Sequence, residues 1–113
     1  MEIIEKPEEL AAELKVIGDL DAKSSIQLDE YLQKAFKQEQ FNFYIDCAEL
    51  RYISSAGLGV FISHLDFLNQ HKGKFVFFNM NDQVFEIFKI LGLLEVMQIA
   101  ENKINARRLM NES

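Results

Sequence analysis

The segment RYISSAGLGVFISHL, Arg51–Leu65, marks the start of a helix and carries the most informative motif of the chain. Two serines are followed by Gly57 and Gly59 and then by apolar residues at helical spacing. Each glycine inside a helix costs about 1 kcal/mol relative to alanine. We therefore expect a helix that runs to about Gln70. Some structural or functional feature at its start should compensate for the cost of the two glycines. Its apolar stripe consists of Leu58, Phe61, Ile62, Leu65 and Leu68.

Strand-like and helix-like segments alternate along the rest of the chain. Nearly continuous apolar runs predict strands that are buried on both faces of a sheet, and apolar residues three and four apart predict helices. The predicted strands cover residues 1–4, 10–17, 41–47, 74–80 and 95–99. Besides the helix of the opening segment, the predicted helices cover residues 19–38, capped by Ser24 or Ser25, residues 82–91, and residues 100–110.

This alternation predicts an α/β domain with a mixed, mostly parallel sheet of four to five strands and about four helices. Because no helix separates the two N-terminal strands, we expect that pair to be antiparallel. We expect Pro7, the only proline, in an early turn, and Gly18 at the end of the second strand. With 113 residues and no linker or repeat, the chain is predicted to form one domain over residues 1–113.

The charge balance argues against two classes of partner. The net charge is −6 and no basic stripe is visible, so neither nucleic acid nor a membrane surface is an expected partner. The one basic cluster, Lys103 with Arg107 and Arg108, is interpreted as a solvated helix face. The first ten residues include charges and no long apolar run, which indicates neither a signal peptide nor a membrane span. We expect a cytoplasmic protein.

Residues that could support catalysis or bind a metal are few. Cys47 closes a predicted buried strand and is interpreted as a packed thiol. His64 and His71 lack further ligands nearby in the sequence, so they are interpreted as exposed residues, and no metal or cofactor is expected. Asp46 is expected to bond the turn that follows it. Because no motif joins a nucleophile, a base and an orienting group, we do not expect an enzyme.

Two interpretations of the serine–glycine segment stay open on residue chemistry alone. In the first, Ser54 only caps the helix and the glycines have no role in binding. In the second, the helix start is a site for a phosphoryl group, because free N–H groups and the helix dipole stabilise a dianion. A bound nucleotide would require a basic residue in the loop, whereas Arg51 precedes the turn. The second interpretation therefore favours phosphorylation of Ser54 or Ser55.

Four segments together resemble the STAS domain, in particular the small anti-sigma factor antagonists, or anti-anti-sigma factors, of bacterial partner switching. The resemblance covers roughly residues 1–100 and implies a single STAS domain. The segments are GDLD (Gly18–Asp21), FYIDCAELRYISSAGLGVF (Phe43–Phe61), KFVFFNMNDQVFEIFKILGL (Lys74–Leu93) and VMQI (Val96–Ile99).

The resemblance also implies roles for individual residues. Aligning the glycine motif places the phosphorylated serine of the family on Ser55, with Ser54 as the alternative, and places Asp21 beside it. Many family members have aspartate before the acceptor, where this chain has Ser54, and serine or threonine after it, where this chain has Ala56. The implied partner surface consists of Asp21, Ser54, Ala56, Gly57, Leu58, Gly59 and Val60.

The function that the resemblance implies is a phosphorylation-controlled switch without catalysis. The unmodified chain would bind an anti-sigma factor that is a serine kinase with a histidine-kinase-like ATPase fold, and would thereby free a sigma factor. Phosphate on Ser55 would place an unpaired charge in that interface and break it, and a metal-dependent serine phosphatase would reverse the change. The alternative is an accessory STAS subunit that docks on a transporter ATPase and is not controlled by phosphorylation.

Overall fold

The computed structural model describes residues 1–8 and 11–112, and its strands and helices alternate as the sequence predicts. The strands are β1 (Glu2–Glu8), β2 (Ala11–Leu20), β3 (Asn42–Asp46), β4 (Leu50–Ile53), β5 (Lys74–Phe78) and β6 (Gln98–Ala100). The helices are α1 (Ala22–Lys37), α2 (Ser55–Ser63), α3 (Leu65–Gln70), α4 (Asp82–Ile90) and α5 (Lys103–Asn111). A single 3₁₀ turn, Leu93–Glu95, follows α4.

The sheet is mixed and mostly parallel, which confirms the predicted fold class. Its strand order is β1-β2-β3-β5-β6, with β4 pairing separately with the end of β2. Strands β1 and β2 are antiparallel as predicted, and the other pairings among the described residues are parallel. Since parallel strands end at the same edge of a sheet, the helices that follow β2 and β4 begin side by side at that edge.

The core has two parts because alternate residues of each strand point to opposite faces of the sheet. On one face, Phe43 of β3 and Phe77 of β5 pack with Phe61 of α2 and Phe88 of α4. All four of these side chains are essentially inaccessible to solvent. On the other face, a smaller cluster is covered by α5. That cluster consists of Ala11, Tyr44, Val76, Phe78, Ala100 and Ala106.

Several element boundaries differ from those that the sequence predicts. Strand β4 was not predicted, because only two of its four residues are buried. Gly18 does not end β2: it lies inside the strand with a φ of 96°, where the pairing with β4 shifts register. Pro7 belongs to β1 and not to a turn. The long helix predicted from the opening segment is interrupted at His64 and forms α2 and α3.

Charged side chains hold α5 against the sheet, which overturns the interpretation of Lys103 as a solvated residue. Lys103 Nζ lies 2.6 Å from a carboxylate oxygen of Glu8 and also contacts Glu13. The ammonium also lies 4.5 Å from the centre of the Tyr44 ring, a cation–π contact. At the other end of α5, Lys74 donates hydrogen bonds to backbone carbonyls of the helix terminus. Arg107 and Arg108 are exposed, as predicted.

The ion pairs at Lys103 make part of the stability depend on pH. The hydrogen bond from Lys103 holds the pKa of Glu8 below its ordinary value. Burial opposes the charge on Lys103, but hydrogen bonds to Glu13 and Glu8 outweigh it and raise the pKa of Lys103. A carboxyl group whose pKa is lowered by folding stabilises the folded state above its unfolded pKa. The contribution of Glu8 is therefore present at neutral pH and is lost as pH falls through its folded pKa.

We expect Lys103→Met to lower the free energy of unfolding by about 1–3 kcal/mol at pH 7, because it leaves the buried carboxylate of Glu13 and the half-buried one of Glu8 without their cation. Urea denaturation measures the change. The matched control is Lys89→Met, which removes an exposed pair with Glu86 at 3.7 Å and should change stability by less than about 0.5 kcal/mol. The difference between wild type and Lys103→Met should shrink as pH falls below the ordinary carboxyl pKa and through the lowered pKa of Glu8. Equal stability of the two variants at pH 7 would contradict this account of α5.

Candidate functional site

The parallel pairing of β2 with β4 creates the site. Leu20 of β2 pairs with Ile53 of β4, and the backbone N–H of Ser54 donates to the carbonyl of Leu20 at 2.8 Å. The next residue along each chain segment is a helix cap, Asp21 for α1 and Ser54 for α2. The N-termini of two helices therefore lie next to each other, and the positive ends of both dipoles point to one edge of the sheet.

Asp21 is the N-cap residue of α1. Its carboxylate accepts the backbone N–H of Ser24 at 3.0 Å, and the Ser24 hydroxyl accepts the backbone N–H of Asp21 at 2.8 Å. This reciprocal pair is a capping box, so the prediction that Ser24 or Ser25 is the cap was wrong. Hydrogen bonds from the backbone and hydroxyl of Ser24 lower the pKa of Asp21. Asp21 is thus a fixed negative charge on the surface at neutral pH.

The two serines of the motif have different surroundings. Ser54 is the N-cap of α2 and is half-buried, and its hydroxyl oxygen accepts the backbone N–H of Gly57 at 3.2 Å. Ser55 is the first residue of α2 and is exposed. Within the described part of the chain, its hydroxyl forms no hydrogen bond. A group attached to Ser55 could therefore extend into solvent, whereas a group attached to Ser54 would compete with the helix cap.

The two glycines also differ, and only one of them leaves the helix start open. A Cβ atom on Gly57 would lie 2.7 Å from Cγ of Leu20 and 3.1 Å from the Leu20 carbonyl oxygen. Gly57 is therefore needed for α2 to pack closely against the end of β2. A Cβ atom on Gly59 would have no atom within 4 Å. Gly57 is thus required by the packing of the fold, whereas the space at Gly59 is open to another molecule.

The residues of the predicted partner surface likewise include both exposed and buried positions. Asp21, Ala56 and Gly59 are exposed, and Ser54 and Val60 are half-buried. By contrast, Gly57 is buried, and Leu58, only 3% exposed, belongs to the core. Leu58 therefore packs in the core and holds α2 in place. The role of all seven residues in partner binding remains a prediction.

A shallow groove between α1 and α2 adjoins these residues and was not foreseen from the sequence. It opens to solvent along the exposed sides of both helices. Only the packing of α1 against α2 brings its two walls together, so no local sequence signal marks it. The lining residues are Ser25, Ile26, Asp29 and Glu30 of α1 and Ala56, Gly59, Val60 and Ser63 of α2.

Two further aspartates near the ends of strands form structural contacts. Asp46 accepts the backbone N–H of Ala48 at 3.0 Å, which confirms its predicted role in the turn after β3. Asp19 pairs with Arg51 across β2 and β4, with 3.5 Å between Nε and the carboxylate. Both side chains of this pair are largely exposed.

Cys47, His64 and His71 do not come together in a catalytic site. Cys47 is fully buried, and burial raises the pKa of its thiol, so the prediction of a packed thiol is confirmed. His64 is half-buried, with Nε2 2.5 Å from Asp29, and the prediction that it is exposed was wrong. His71 is exposed as predicted and stacks on Phe41. Among residues 1–8 and 11–112, no three histidine, cysteine or acidic side chains are grouped as metal ligands.

None of the helices in the described ranges has the length and apolar character needed to span a membrane. The longest, α1, has 16 residues, and its exposed side carries charged side chains.

Comparison with known proteins identifies the family of the chain and finds solved structures with the same fold. The family model for the STAS domain matches residues 3–106, and the chain belongs to this family. An anti-sigma-B factor antagonist of Listeria monocytogenes is 33% identical over 84 residues, which are 74% of each chain. The structure of an anti-sigma factor antagonist from Mycobacterium paratuberculosis superposes with a TM-score of 0.86 at 14% identity, covering 98% of this chain and 94% of that one.

A second solved structure has the same fold. It is described as the Bacillus cell fate determinant SpoIIAA in the phosphorylated form, and it superposes with a TM-score of 0.72 at 17% identity. The match covers 96% of this chain and 99% of SpoIIAA. The STAS fold that the sequence motifs suggested is thereby confirmed.

The two glycines provide a paired test of the site geometry. We expect Gly57→Ala to lower the free energy of unfolding by about 1–3 kcal/mol, because its methyl group would overlap the side chain and carbonyl of Leu20. Gly59→Ala should raise it by about 0.5–1 kcal/mol, because alanine favours the helix and the added methyl group meets no atom. Urea denaturation of both variants measures these changes in the free energy of unfolding. A loss of stability in Gly59→Ala would show that α2 is packed differently.

Proposed function

We propose that this chain is an anti-sigma factor antagonist whose binding to an anti-sigma factor is controlled by phosphorylation of Ser55. The observation that carries the proposal is the exposed Ser55 hydroxyl at the start of α2, next to the helix start that Asp21 caps. The name of the Listeria relative supports the same role. The solved structure of Bacillus SpoIIAA in its phosphorylated form, which has the same fold, supports a phosphorylated state.

The position of Ser55 explains how a phosphate could change binding and leave the fold intact. A phosphoserine carries a charge of about −1.5 to −2 at pH 7. At the first residue of α2 that charge faces the positive end of the helix dipole and the N–H groups that have no partner within the helix. The fold should therefore accommodate the group without loss of the Ser54 cap.

The same charge would weaken binding to the partner that recognises the unphosphorylated chain. Asp21, on the neighbouring helix start, is already ionised, so phosphate would add charge of the same sign beside it. A partner surface that fits the neutral hydroxyl would have to bury an unpaired dianion. Such burial costs several kcal/mol, which corresponds to an affinity loss on the order of a hundredfold or more.

The proposed cycle needs two further proteins. The partner of the unmodified chain would be an anti-sigma factor that is also a serine kinase of the histidine-kinase-like ATPase class. In the phosphoryl transfer, the Ser55 oxygen would bond to the γ-phosphorus of ATP, ADP would leave, and the serine proton would pass to a base of the kinase. A metal-dependent serine phosphatase would hydrolyse the ester, with water taking the phosphoryl group to inorganic phosphate and the Ser55 hydroxyl restored. The chain itself supplies a surface and an acceptor, and no catalysis.

Phosphate mapping tests this proposal. The chain is incubated with Mg²⁺, ATP and each anti-sigma kinase homologue from its own genome, and the products are mapped by tandem mass spectrometry. We expect one phosphate per chain, on Ser55, because that hydroxyl is exposed and does not cap the helix. Ser55→Ala should abolish the incorporation.

The matched control is Ser54→Asp, which removes the neighbouring hydroxyl and keeps a good N-cap residue. This variant should still be phosphorylated on Ser55. Phosphate on Ser54 of the wild-type chain would contradict the assignment of the acceptor. If no kinase homologue modifies or binds the unmodified chain, the proposed function itself is wrong.

A further inference from the structure

We propose that the groove between α1 and α2 receives an apolar side chain of the anti-sigma partner, flanked by basic side chains of that partner. This inference rests on the proposed function and adds to it the chemistry of the bound segment. It also assigns binding roles to residues of α1, in particular Ile26 and Glu30, that neither the motif nor the family resemblance indicates.

The shape of the groove is the first argument. Gly59 lies in its wall, and the space where a Cβ would stand is open to at least 4 Å. On the facing helix, Ile26 lines the groove and is 61% exposed, although it is a large apolar side chain. An exposed apolar residue opposite an unfilled glycine position forms a seat for one apolar side chain of another molecule.

Folding does not explain the glycine. Alanine at position 59 would fit and would favour the helix, so glycine makes α2 less stable than it could be. By contrast, Gly57 is required by the contact with Leu20. A glycine that weakens its own helix and borders an open groove is best explained by a role in binding another molecule.

Charge is the second argument, and it indicates that the bound segment of the partner is basic. Among the residues that the structure describes, the groove lining includes Asp29 and Glu30 and no lysine or arginine. The whole chain carries a net charge of −6. Asp29 is held by His64 at 2.5 Å and by the Gln33 amide at 2.7 Å. Glu30 is exposed and forms no ion pair with the described residues. A segment with lysine or arginine beside its apolar residue complements this rim.

Continuity with Ser55 is the third argument. Ser55 and Gly59 are four residues apart in α2 and therefore lie on the same face of the helix, one turn from each other. Ala56, the residue after Ser55, lines the groove. A partner seated at Gly59 would thus reach the position of the phosphate, which would place the anchor and the switch in one interface.

Paired variants test the groove by isothermal titration calorimetry against the anti-sigma kinase that binds the unmodified chain. We expect Gly59→Leu, which fills the seat, and Glu30→Lys, which reverses the rim charge, each to weaken binding about tenfold or more. Glu30→Gln should weaken binding less and reduce its dependence on salt concentration. Thermal unfolding should show that all three variants remain folded.

The controls add the same groups elsewhere on the exposed surface. Gln83→Leu on α4 and Glu95→Lys in the 3₁₀ turn, both exposed, should change affinity by less than about twofold. If wild type binds its kinase and the groove variants bind equally well, the groove proposal is wrong and the proposed function stands. If wild type binds no anti-sigma protein, both fail. If Gly59→Leu weakens binding but Glu30→Lys does not, the basic partner is excluded.

Discussion

The contact between Leu20 and the start of α2 is the constraint on which the rest of the structure depends. Leu20 is completely buried, accepts the backbone N–H of Ser54, and lies against Gly57 so closely that no Cβ would fit there. This single residue fixes the end of β2, the cap of α2 and the distance between them. Because Asp21 follows Leu20 directly, the same contact also brings the starts of α1 and α2 together.

The residues of the site therefore divide into two groups. Some are needed by the fold, and the others are exposed and free of structural contacts. Ser54 and Gly57 are used by the fold, the first as a cap and the second for close packing. Ser55 and Gly59 alternate with them in the motif and make no comparable contact. A rigid frame under exposed, unconstrained positions suits a surface that has to be modified without unfolding.

The sequence was most informative where local chemistry determines local structure. Buried strands such as β3 and β5 are readable because both faces are apolar. The four segments quoted from the sequence together indicated the STAS family, whose model matches residues 3–106. What it could not reveal depends on distant contacts. Strand β4 exists because it pairs with β2, although its own middle residues are exposed.

Two further misses have the same cause. Lys103 looked like a surface residue because its partners, Glu8 and Glu13, are some 90 residues away in the chain. The groove beside Gly59 is formed by helices that are separated in the chain by two strands, β3 and β4, so neither wall indicates the other. Periodicity reports which side of an element is apolar, but it does not report which element that side meets.

The central claim is that a phosphate on Ser55 alters a surface and not the fold. The most direct test is to incorporate phosphoserine at position 55 during synthesis, with no kinase involved, and to compare backbone amide NMR spectra with those of the unmodified chain. The account predicts chemical-shift changes confined to the starts of α1 and α2, with unchanged hydrogen exchange in β2, β3 and β5. Shifts throughout the buried phenylalanine core, or loss of exchange protection in the central strands, would contradict it.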